Sequence, residues 1–103
     1  MVIFIAERAL RYRLASPRLA RQAGPDGVTV NNLAPGAIAT PRNAQQFGDP
    51  EVRAAFEATV PNRRLGRPED LVGAALLLCA PVAGSFITGT DLYVDGGFTG
   101  MRF

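Results

Sequence analysis

The stretch that most constrains this chain runs from residue 28 to 41 and reads VTVNNLAPGAIATP. Val28, Val30 and Leu33 are apolar and mostly β-branched, which suits a short buried strand, with Asn31 and Asn32 inside it. Pro35 fixes φ and Gly36 permits φ > 0, so the chain turns there. Ala37 to Thr40 then offers backbone N–H groups and one hydroxyl. In an open parallel sheet, ligands bind in the crevice beyond the carboxyl ends of the strands. The stretch therefore predicts a strand that delivers a loop to a ligand site.

Composition narrows what that site can do. The chain has 103 residues, enough for a single domain over 1–103, and it is 48% hydrophobic and 19% charged. All 11 basic side chains are arginine, so there is no lysine, and there is no histidine. A histidine general base or metal ligand is thereby excluded, as is a lysine that forms a Schiff base or lowers a tyrosine's pKa. The net charge of +2 is small and the arginines are scattered among acids, so nucleic-acid binding is not expected. No apolar run reaches membrane-spanning length, and Met1–Ile5 is too short for a secretory signal. A cytoplasmic location is the default expectation, with the single cysteine, Cys79, compatible with a reducing compartment.

In order along the chain, Val2, Ala6, Leu10 and Leu14 recur at helical spacing, although Met1–Ile5 alone reads equally as a strand. Ser16-Pro17 is expected to cap a helical piece over 17–23. Gly24-Pro25-Asp26-Gly27 is a stop and turn before the strand at 28–33. Residues 42–48 are polar and expected to be mobile. Asp49-Pro50-Glu51 predicts the start of a helix to about Thr59, ended by Val60-Pro61. Pro68 opens the strongest helical pattern, with Leu71, Ala74, Ala75, Leu78 and Cys79 on one face and Leu76 and Leu77 widening it. A turn at 85–89 leads to a last strand at 90–95, closed by Asp95-Gly96-Gly97, with a tail after residue 98. The count is two strands and three or four helices.

Three segments carry a family resemblance: LARQAGPDGVTVNNLAPGAIAT (19–40), LGRPEDLVGAALLL (65–78) and SFITGTDLYVDGG (85–97). In this order and spacing they resemble the C-terminal part of a classical short-chain dehydrogenase/reductase, over residues 19–97. Residues 1–18 match poorly. The resemblance implies an α/β fold, truncated and Rossmann-like, the C-terminal part of a doubly wound parallel sheet completed by oligomerisation. It implies NAD(P) as cofactor, with Pro35 and Gly36 near the nicotinamide, Ile38 backbone at its carboxamide and the Thr40 hydroxyl at the amide or phosphates. It also implies a subunit interface built from 68–79 and 90–95. The family's glycine-rich loop, catalytic serine and Tyr-x-x-x-Lys pair have no counterpart here. Ungapped spacing puts the pair at Ile5 and Ala9. The resemblance thus implies fold and ancestry, but neither the family's hydride transfer nor firm hold on the cofactor.

Other features keep two readings each. Arg63, Arg64 and Arg67 before Pro68 could form an anion site or pair with Glu69, Asp70 or a neighbouring subunit. Asp91 and Asp95, four apart, could act as a catalytic pair or bind a divalent metal, or serve as strand-end and turn residues. Cys79 is expected to be a small buried hydrophobe, and Tyr12 and Tyr93 packing residues. Three functions stay open at this point. One is a truncated dehydrogenase-like protein that keeps the oligomerising end of the fold. Another is a small oligomeric enzyme with recruited hydrolase activity, using carboxylates or a carboxylate-bound metal. The third is a subunit completing a partner that carries the missing half. A homodimer or homotetramer is expected, because the strand at 28–33 would otherwise leave an unpaired edge. Pairing with Met1–Ile5 is the alternative remedy.

Overall fold

In the computed structural model, which describes residues 2–6 and 15–102, a three-stranded parallel sheet organises the chain. The strands are β1 (Val2–Ala6), β2 (Thr29–Pro35) and β3 (Asp91–Val94), in the order β1-β2-β3. β1 pairs with β2 from Val2↔Thr29 to Ala6↔Leu33, and β2 pairs with β3 from Asn32↔Asp91 to Pro35↔Val94. The expected helical spacing over 2–15 is therefore corrected for residues 2–6. The β-branched and aromatic run Val-Ile-Phe-Ile closes the edge of β2, which helical pairing could not do. Residues 7–14, and with them Ala9 and Tyr12, lie outside the described residues.

Helix α1 (Ala15–Ala23) connects β1 to β2 and packs on β2. Ser16 is not its cap: it is fully buried, and its hydroxyl donates to the Val30 carbonyl at 3.1 Å, tying helix to strand. Gly24–Asp26 forms a 3-10 turn, and Gly27 at φ 73° stops the helix as the sequence predicts. β2 is the centre of the sheet. Val30, Asn31, Asn32 and Leu33 are buried in succession, so both of its faces are covered. Buried amides need partners, and the segment before β3 supplies them. Asn31 donates from Nδ2 to the Ile87 carbonyl at 2.9 Å and accepts from Thr90 N–H at 3.3 Å.

Between β2 and β3 lie the 3-10 turn Pro41–Asn43, α2 (Ala44–Phe47), α3 (Pro50–Thr59) and α4 (Val72–Cys79), the last entered through a 3-10 turn at Pro68–Leu71. The Asp49 carboxylate accepts the Glu51 N–H at 2.9 Å, capping α3 where the sequence placed the cap. Residues 42–48, expected to be mobile, form a 3-10 turn and α2 instead, with the Asn43 amide donating to the Ile38 carbonyl at 2.7 Å. On α4, Leu78 is buried at 1% exposure while Cys79 is exposed. The expectation of a buried thiol is thus corrected: one residue past Leu78 the helix has turned by about 100°, out of the apolar stripe. Leu78 joins Val30, Leu33, Ile38, Val60 and Leu65 as the principal buried apolar side chains.

Candidate functional site

At the carboxyl ends of β2 and β3 the chain forms an open cleft of about 400 Å³. Gly36, Ile38, Phe56, Asn62, Tyr93 and Asp95 are among the residues that line it. Its floor requires close backbone approach. Gly36 N–H donates to the Val94 carbonyl at 3.0 Å, and a Cβ on Gly36 would lie 2.8 Å from Asp95 Cα. Only glycine fits there without moving backbone. Ile38 is buried and bridges in parallel to Gly66, with Gly66 N–H to Ala37 O at 2.9 Å and Ala39 N–H to Gly66 O at 2.8 Å. The loop after Pro35 is therefore fixed against the segment that leads into α4. Thr40 stands at the N-cap of the Pro41–Asn43 turn, half-buried, and its hydroxyl makes no capping bond. Of the expected cofactor residues, Gly36 and Ile38 line the cleft, while Pro35 ends β2 and Thr40 precedes the Pro41–Asn43 turn.

The side chains of Arg63 and Arg64 are engaged within the fold. The Arg64 guanidinium forks onto Asp70, with Nη1–Oδ2 at 2.6 Å and Nη2–Oδ1 at 3.1 Å, and Nη1 also reaches the Leu65 carbonyl at 3.0 Å. Asp70 accepts the Arg67 N–H at 2.7 Å, closing the entry to α4. Arg63, at φ 57° in the left-handed region, donates to the Ala58 carbonyl at the end of α3. Of the three expected anion ligands, the structure gives Arg64 its alternative role as Asp70's partner and Arg63 a helix-end role.

The Arg64 hydrogen bonds, then the Arg67 N–H, lower the Asp70 carboxyl from its ordinary 3.8 to about 2. Because the folded-state pKa is depressed, the stability this group contributes is present above 3.8 and is lost as the pH falls toward about 2. Acid titration should therefore loosen the α4 entry in that window, and Asp70→Asn should remove this part of the acid sensitivity. An amide exchange profile at Arg67–Leu71 with the same pH dependence in both proteins would refute it.

Asp91 and Asp95 sit in different settings. Asp91 Oδ1 accepts from Asn32 Nδ2 at 3.2 Å on the sheet. Asp95 lies past the end of β3, where Oδ1 accepts Gly97 N–H at 2.9 Å and Oδ2 accepts Thr99 N–H at 3.0 Å. Burial raises the Asp95 carboxyl, but hydrogen bonds from Thr99 and the Gly97 N–H outweigh it and leave it lowered. A lowered carboxyl that shapes a turn is poorly suited to general acid work. Among the described residues no group of three or more His, Cys, Asp or Glu is placed to hold a metal ion. Likewise, no helix among them is long and apolar enough to cross a membrane.

Parallel strands, a connecting helix and a loop beyond the strand ends define a piece of a Rossmann-type nucleotide-binding α/β fold. The chain belongs to the short-chain dehydrogenase/reductase family: residues 14–99 match the family described as Enoyl-(Acyl carrier protein) reductase. It is 49% identical over 81 residues to 3beta-hydroxysteroid dehydrogenase 1 of Eggerthella lenta, covering 79% of this chain and 31% of that protein. It superimposes on the Pseudomonas aeruginosa RhlG/NADP active-site complex with a TM-score of 0.81 at 28% identity, covering 94% of this chain and 44% of that one. A Beutenbergia cavernae protein assigned as an NAD(P) dependent gluconate 5-dehydrogenase, with bound NADP, gives 0.78 at 37% identity, covering 87% and 36%. The chain spans 27% to 37% of the length of the curated relatives it matches.

Proposed function

We propose that this chain supplies the cofactor-facing loop and the oligomerising end of a short-chain dehydrogenase/reductase fold and does not by itself transfer hydride. The observation that carries this reading is the absence of any lysine from a chain that matches the family over residues 14–99. Of the positions that ungapped spacing gives to the Tyr-x-x-x-Lys pair, Ile5 stands on β1 rather than on a helix. When bound, an NAD(P) nicotinamide supplies or takes the hydride. The residues present suit that end of the cofactor only: Gly36, whose missing side chain lets the loop lie against Asp95, then the Ile38 backbone and the Thr40 hydroxyl, which makes no capping bond. A dinucleotide's affinity rests chiefly on a glycine loop at a helix N-terminus cradling the pyrophosphate, which this sequence lacks. Titration of the 103-residue chain with NADH or NADPH, followed by cofactor fluorescence, should not saturate at micromolar concentration. Saturable micromolar binding would show that the cleft holds a dinucleotide without that loop.

Of the two grounds the sequence offers for a homo-oligomer, the strand edge at 28–33 and the helix at 68–79 whose leucines cover more than one face, only the second supports it. β1 already pairs the edge of β2, so that edge does not demand a partner. What supports association is apolar surface: Leu76 is 66% exposed on α4, with Val72 and Leu77 also exposed, and beyond it Val82 and a fully exposed Phe86. Such a surface buried between identical chains favours a symmetric dimer or tetramer. Sedimentation at micromolar concentration should give a dimer or tetramer that Leu76→Glu dissociates. A wild-type monomer would refute the assembly.

A further inference from the structure

α3, which lends Phe56 to the cleft, and α2 before it are attached unlike the rest of the molecule. Neither helix contributes a buried residue. A ten-residue helix such as α3 is marginal in water without tertiary contacts. Several of its contacts reach one place, the turn that follows β3. Phe98 stacks on Phe56 with ring centroids 6.2 Å apart and planes at 24°, and Phe56 in turn meets Phe47 of α2 at 5.2 Å. Asn62 N–H donates to the Gly96 carbonyl at 3.1 Å. A Cβ on Gly96 would lie 2.9 Å from Val60 Cγ1, and one on Gly97 3.0 Å from Pro61 Cγ, so the turn sits directly against the end of α3. The turn is itself rigid. Both Asp95 carboxylate oxygens hold its N–H groups, and Gly96 and Gly97 take φ values of 64° and 91°.

We propose that the turn Asp95–Thr99 is a latch that holds α2 and α3, as one flap, in place beside the cleft, with the Phe98 ring as its principal contact. Because the latch follows β3 without a break, the sheet sets where the flap sits. The flap is also attached by the buried Val60 at the end of α3, by the Arg63 guanidinium on the Ala58 carbonyl, and by hydrogen bonds from Leu65 N–H to the Glu57 carboxylate at 3.3 Å and from the Asn43 amide to Ile38 O. Release of Phe98 should therefore free the flap locally while the sheet stays folded.

Hydrogen exchange on the 103-residue chain tests this. In Phe98→Ala the amides of 50–59 should exchange about fivefold to tenfold faster, as loss of an aromatic contact allows, while those of β2 stay at the wild-type rate. Phe98→Tyr should restore wild-type protection. Gly97→Ala, which presses a Cβ on Pro61 from a left-handed backbone, should repeat the selective rise, and it serves as the reading if Phe98→Ala does not fold. Unchanged exchange in 50–59 in the folded variants, or an equal rise in β2, would overturn the latch.

Discussion

Replacement of Leu78 by alanine is expected to lower the unfolding free energy by about 2–5 kcal/mol, the range for emptying a fully buried leucine site. Leu78 is 1% exposed, and α4 packs against β2, where Val30 is equally buried. The buried apolar set is small, so neighbouring side chains have little freedom to collapse into the space. Domains are typically stable by only about 5–15 kcal/mol, so this one change takes a large share of the total. Val52→Ala is the matched control: Val52 is 44% exposed on α3, and its truncation should stay within about 0.5 kcal/mol. Urea unfolding of the two variants measures the difference. A cost at Leu78 no larger than that at Val52 would mean that α4 does not pack on the sheet.

Leu78 also shows what sequence periodicity could and could not reveal. The stripe Leu71, Ala74, Ala75, Leu78 was legible because i, i+3, i+4 and i+7 share a helix face. Cys79 was misplaced because a run of apolar residues blurs the edge of the stripe. Elements with local punctuation were readable in place: Asp49-Pro50 at the start of α3 and Gly24 to Gly27 before β2 both carry their own geometry. β1 was not decidable, because five apolar residues fit helix and strand alike and only pairing with β2 selects the strand. Ser16 looked like a cap because local spacing does not reveal a bond to Val30, fourteen residues away.

The same division holds at the candidate site. Pro35 and Gly36 suggest a turn, whereas the structure keeps Pro35 in β2 and Gly36 on the ladder to Val94, with φ not positive, and the glycine is needed instead for the close approach to Asp95. The fork of Arg64 on Asp70 spans six residues and was foreseen as one of two roles. The Phe56–Phe98 contact had no sequence signal, since it joins residues far apart through the sheet. Asp91 and Asp95 suggested a pair only on the assumption of a regular strand through both, whereas β3 ends at Val94.

Complete loss of the family's reaction is the largest functional effect expected of this chain. General acid–base catalysis by a positioned side chain is worth about 10²–10⁴-fold in rate. In the family the acid is a tyrosine whose pKa a lysine lowers, and the chain has no lysine and no histidine to take that part. Tyr93 lines the cleft, but the arginine that lines it too, Arg64, has both terminal nitrogens on Asp70. Without a glycine loop among these 103 residues the nicotinamide would also be weakly held, which would forfeit the advantage of a fixed geometry. The most direct measurement is isotopic: purified 103-residue chain, NADPH deuterated at the transferring carbon, a panel of ketones, and mass analysis of the alcohols formed. No alcohol should carry deuterium above the protein-free control, and protein-dependent formation of deuterated alcohol would contradict the account.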